Sequence, residues 1–108
     1  MGLDFTLHCQ HCGAAVYNGN ITHNLGKMAR EAGIYEALWR PDEIGITKVH
    51  QLIAPLTDGL ARLRAEPDKY RAFNSPNGWG SYEGLVRFVE GYLNACGMEP
   101  DADVRVWR

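Results

Sequence analysis

Little in this chain commits it to nucleic acid, a membrane or an oxidising compartment. No run of five like charges occurs in its 108 residues, and 11 basic against 13 acidic side chains leave a formal charge of −2 with the four histidines neutral. A surface that neutralises phosphates needs clustered lysine and arginine, so nucleic acid and anionic lipid are poor partners for this composition. No apolar stretch approaches the ~20 residues of a membrane-spanning helix, and Met1 to Leu7 has no basic start followed by an apolar block. Neither a secretory leader nor a membrane anchor is expected, and the expected location is cytoplasmic. Three cysteines are too few, and of the wrong parity, for a disulfide scaffold, so the thiols are expected to be reduced. Asn20-Ile21-Thr22 spells a glycosylation sequon but has no secretory context to make it matter.

What is present reads as one globular domain over residues 1–108. Hydrophobic residues make up 45% and charged residues 22% of the chain, with no repeat, low-complexity tract or linker to divide it. A chain of this size buries roughly two thirds of its unfolded surface, which is enough for a core that needs no disulfide or metal.

Hydrophobic periodicity gives the elements. Leu3, Phe5 and Leu7 alternate with Asp4, Thr6 and His8, the pattern of a strand with one face in the core. A tight turn at Cys9–Gly13 leads into a short return strand, Ala14 to Tyr17, which Asn18-Gly19-Asn20 is expected to break. Asn24 is the expected cap of a helix over Leu25–Ala32 ended by Gly33, and Ile34–Trp39 makes a further helical turn before Arg40-Pro41. Thr47 is the expected cap of a longer helix carrying Val49, Leu52, Leu56, Leu60 and Leu63, kinked or split by Pro55. A short helix follows over Asp68–Phe73. The clearest helix runs from a Ser81 cap to Gly97, with Leu85 and Phe88 expected in the core. Val104 and Val106 alternate with Arg105 and Trp107 in a last strand that pairs with the first. The fold class expected is α+β: a small antiparallel sheet, built from the N-terminal hairpin and the C-terminal strand, covered by about three to four helices.

Three segments carry candidate chemistry. Cys9, Cys12 and His23 form the metal alternative, since a Cys-x-x-Cys-Gly turn presents two thiolates to zinc, and His50 or Cys96 would have to supply a distant fourth ligand. The same residues define an alternative hydrolase or transferase using His23 with Cys9 or Cys12, although no base is placed by spacing. Asn20, Thr22, His23 and Asn24 precede a helix start, where free N–H groups and side-chain amides suit an anion or a nucleobase edge. Asn77, Trp79 and Tyr82 precede another, with glycines on both sides of Trp79. The expectation is that the last two segments converge on one polar pocket with Trp79 or Tyr82 as its flat wall; the competing expectation is that each set only caps its own helix.

Asn-Ile-Thr-His-Asn-Leu-x-x-Met at Asn20 to Met28, Asn-Gly-Trp-Gly-Ser-Tyr-Glu at Asn77 to Glu83 and Val-x-Val-x-Arg near the end resemble a family of small uncharacterised bacteriophage and prophage proteins. Members of that family often end in Ser-Arg, where Trp107 stands in the serine's place here, and some lack the Cys-x-x-Cys turn. The resemblance implies accessory work in a bacterial host cell and no established activity. The function expected is therefore that of a noncatalytic phage-type accessory protein without an obligatory cofactor, binding a small anionic or nucleotide-like molecule or a host protein, with homo-oligomer formation open. The alternative is a zinc-knuckle adaptor with a structural zinc at the Cys9/Cys12 turn.

Overall fold

The structure, a computed structural model, describes residues 2–74, 76, 78 and 80–107. Three strands, β1 (Gly2–His8), β2 (Ala15–Thr22) and β3 (Asp103–Trp107), form one antiparallel sheet in the order β2-β1-β3. Five α-helices accompany it among the described residues: α1 (Gly26–Glu31), α2 (Tyr35–Trp39), α3 (His50–Ala65), α4 (Pro67–Arg71) and α5 (Tyr82–Met98). The fold is α+β, with rather more helices than the three to four expected.

The alternation in β1 does what its period requires. Leu3, Phe5 and Leu7 are at most 1% exposed and form the core face, while Asp4 is exposed and Thr6 and His8 are half-buried on the other face. Phe5 stacks on Tyr92 of α5 at 4.2 Å between centroids and 5° between planes, with Phe88 edge-on to both rings. This aromatic triad ties sheet to helix. Leu85 is fully buried, but Phe88 packs against the core only partly buried.

Several expected boundaries shift, each for a physical reason. Asn18-Gly19-Asn20 does not break β2, because Gly19 lies opposite Phe5 and a Cβ there would sit 2.5 Å from the ring. The glycine serves a close approach inside a strand rather than a turn. Asn20 donates from Nδ2 to Asp4 across the strands at 2.7 Å, which fixes it in the sheet. Asn24 does not cap the next helix: Thr22, in extended conformation, accepts the Asn24 N–H through Oγ1 at 3.3 Å and caps a 3₁₀ turn over His23–Leu25 that leads into α1.

Helix α3 starts at His50 rather than at a Thr47 cap. Its first N–H groups are taken by carbonyls of the segment before β3, Val49 donating to Ala102 and His50 to Pro100, while Gln51 Oε1 accepts the N–H groups of Thr47 and Lys48. No break occurs at Pro55. The lost N–H would have served the carbonyl of Gln51, an exposed residue, and buried Leu52, Leu56, Leu60 and Leu63 hold the helix to the core. Ser81 caps α5 by accepting the Gly84 N–H, as expected, but the helix passes Gly97 and ends at Met98.

Candidate functional site

The 3₁₀ turn, α1, α2 and the segment after α4 enclose an open cleft of about 540 Å³. Its lining comes from His23 and Asn24 in the turn, Gly26, Lys27 and Arg30 on α1, Tyr35 and Trp39 on α2, and Phe73, Asn74 and Pro76 beyond α4. The volume lies within the range of about 300–1,000 Å³ typical of small-molecule sites.

Local folding places each group. Lys27 and Arg30 are three residues apart, so they share one side of α1, while Met28 and Ala29 turn into the core at 0% exposed. Gly33, at φ 76°, reverses the chain after α1 and brings Tyr35 back against it. The Arg30 guanidinium lies 4.1 Å over the Tyr35 ring, whose plane in turn stacks near Trp39 at 5.2 Å. Tyr35 is thus a shelf that holds a flat cation at the cleft.

Trp39 is 1% exposed, and its indole N–H donates to His23 Nδ1 at 2.8 Å. That bond satisfies the buried donor and sets the histidine tautomer: with Nδ1 accepting, a neutral ring carries its proton on Nε2. Arg40 bonds Glu43 at 2.6 Å, and hydrogen bonds to Tyr35 and Glu43 raise its pKa, so the guanidinium stays charged beside the cleft. No carboxylate stands among the described lining residues, and the ion pairs of the described residues take in neither Lys27 nor Arg30. Two cations, an imidazole, two amides and aromatic rings thus line the cleft.

The expected site residues divide. His23 and Asn24 line the cleft, and Thr22 caps the turn that presents them. The two polar segments do approach each other, since a Cβ on Gly80 would sit 3.3 Å from Asn24 Cβ and from Leu25. Asn20 is not in the cleft, being bonded to Asp4 in the sheet. Tyr82 is no wall either: it is buried, its hydroxyl donates to the Leu63 carbonyl at 2.8 Å, and its ring lies beneath Arg71. Asn77 and Trp79 lie outside the described residues.

Lys27, Arg30, Tyr35, Phe73 and Asn74 were not among the residues expected there. Lys27 and Arg30 were legible as an exposed pair at helical spacing opposite Met28 and Ala29, but nothing local showed that a cleft faced them.

The cysteines sit elsewhere. The register runs from His8 opposite Ala15 to Gly2 opposite Thr22, so His23 stands roughly 20 Å along the sheet from the Cys9–Cys12 turn at a strand rise of about 3.4 Å per residue. The three-ligand set Cys9, Cys12 and His23 is therefore not brought together. Among the described residues no group of three His, Cys, Asp or Glu side chains is placed to hold a metal ion. His50 is the first residue of α3, and Cys96 is fully buried on α5, its thiol pushed up to about 12 by that burial. No described helix is long and apolar enough to cross a membrane.

Comparison with protein-family models, with curated proteins and with solved structures finds no match, so the meaning of the cleft rests on its own geometry.

Proposed function

We propose that this chain is a noncatalytic, phage-type accessory protein that takes up a small anionic, nucleotide-like molecule in the cleft between α1, α2 and the segment after α4. The observation that carries the reading is the lining itself: Lys27 and Arg30 converge without a carboxylate on a cleft of molecular size. Lys27 acts as a mobile point charge, whereas Arg30, laid flat on Tyr35, offers both a charge-assisted donor set and a planar surface. His23, with its Nδ1 taken by Trp39, and the amide NH₂ of Asn74, whose Oδ1 accepts the Tyr82 N–H at 2.8 Å, supply directional donors for a base or sugar edge. The resemblance to phage and prophage proteins supports a stoichiometric role inside a bacterial cell, in which binding removes or reports the ligand.

Isothermal titration with nucleoside 5′-monophosphates, the matching unphosphorylated nucleosides and inorganic phosphate tests this. The monophosphate binds at one site per chain, and its affinity falls with added salt because exposed charges are screened. Equal affinity for the nucleoside and its monophosphate would remove the role given to Lys27 and Arg30.

A further inference from the structure

Two hydrogen bonds decide which polar atoms the cleft keeps for a ligand. An indole N–H only donates, so His23 Nδ1, which meets Trp39 Nε1 at 2.8 Å, is the unprotonated nitrogen, and the proton of the neutral ring sits on Nε2. A main-chain N–H likewise only donates, so the Asn74 atom that meets the Tyr82 N–H at 2.8 Å is the amide oxygen, and the NH₂ group is the end left over. Both bonds are anchored in the core, because Trp39 and Tyr82 are buried whereas His23 and Asn74 are exposed at the cleft. Each residue turns its acceptor to the protein and keeps donors for what enters.

Lys27 and Arg30 extend the pattern, since neither an ammonium nor a guanidinium can accept. Among the described lining side chains, only the Asn24 amide and the Tyr35 hydroxyl bring both a donor and an acceptor. A phosphate suits the two cations because every one of its oxygens accepts. The donors of His23 and Asn74 then require acceptors on the base as well. A 6-oxopurine presents two of them side by side, O6 and N7, whereas adenine replaces O6 by an amino donor. Setting an N–H against that amine would leave both groups unpaired as the cleft fills. Phe73, half-buried next to Asn74 in the same lining, offers a ring for a flat base to pack on. Resting on the nucleotide reading of the cleft, we propose that its ligand is a 6-oxopurine nucleotide, with the phosphate on Lys27 and Arg30 and the O6 and N7 edge on His23 and Asn74.

The test compares inosine 5′-monophosphate with adenosine 5′-monophosphate by isothermal titration into the full chain; the two differ only in the group at carbon 6 and the proton on the ring nitrogen beside it. The inosine compound binds at least about tenfold tighter, and guanosine 5′-monophosphate, which keeps O6 and N7, groups with it. Asn74→Asp keeps an oxygen for the Tyr82 N–H and puts an acceptor where the NH₂ group stood. Its charge weakens both monophosphates alike, so the ratio of their affinities reports the base edge alone, and that ratio falls toward one. Equal affinity for the inosine and adenosine compounds, each weakened by removal of its phosphate, would overturn the base assignment and leave the nucleotide reading standing. Absence of binding by any of the monophosphates would overturn both. An undiminished ratio in Asn74→Asp would overturn the placement of the base edge.

Discussion

Replacing His23 by alanine separates its structural duty from its place in the cleft. The bond it accepts from Trp39 is 2.8 Å long, and the donor belongs to a side chain that is 1% exposed. A net neutral hydrogen bond contributes about 1 kcal/mol, and a buried donor left without a partner costs about 1–3 kcal/mol. His23 itself is exposed, so water reaches the vacated position and the cost falls to the lower end, about 1 kcal/mol. Trp39→Phe removes the donor and part of a fully buried ring, for about 1–3 kcal/mol. In that background His23→Ala has no donor left to strand, and its cost drops toward zero. The double-mutant cycle therefore shows a coupling of about 1 kcal/mol. Urea unfolding followed by far-ultraviolet circular dichroism measures all four proteins without relying on indole fluorescence. A coupling below about 0.3 kcal/mol would refute the claim that Trp39 and His23 form one unit at the cleft.

Three further outcomes follow from the packing. Gly59→Ala, which in an open helix would gain about 1 kcal/mol, instead destabilises by about 1–3 kcal/mol, because the new Cβ would lie 2.0 Å from Ile34 Cγ2; a higher melting temperature would contradict this contact. Tyr92→Phe stabilises by about 1 kcal/mol or more, since the Tyr92 hydroxyl is buried without a partner among the described residues and burial raises its pKa; equilibrium unfolding in urea reads the sign, and a loss of stability would mean that the hydroxyl is bonded. Asp103 has its pKa lowered, first by the hydrogen bond from Lys48 at 2.6 Å, so its contribution is present above the ordinary carboxylate pKa and is lost as pH falls through the lowered one. Asp103→Asn accordingly flattens the acid limb of stability against pH, and an unchanged limb would show that the pair is screened out.

Where a residue's neighbours in sequence decide its place, the fold was legible. The two-residue period of Leu3, Phe5 and Leu7 placed β1, and Ser81 with the apolar face of α5 placed the last helix. Where a distant residue decides, it was not. Asn18-Gly19-Asn20 reads locally as a turn, yet the Phe5 ring opposite makes the glycine a requirement of the strand. Pro55 reads as a break, yet exposure of Gln51 removes most of the reason for one. The cleft shows the same division. His23 and Asn24 stand out in the sequence as a polar segment before a helix, whereas Lys27 and Arg30 gain their place only from Tyr35 and the segment after α4, which line the same cleft. The Cys-x-x-Cys turn was plain in the sequence, but only the strand register shows that His23 stands far from it.

The affinity of the paired Lys27→Gln and Arg30→Gln variant for a nucleoside 5′-monophosphate, set beside that of the wild type, tests the cleft most directly. Both side chains are exposed on α1, so the substitutions leave the core intact and the unfolding midpoint near its original value. A hydrogen bond to a charged group is worth about 1.5–3 kcal/mol, which predicts a loss of at least about tenfold for each cation removed. Unchanged affinity in a folded double variant would place the ligand elsewhere on the molecule and contradict the account.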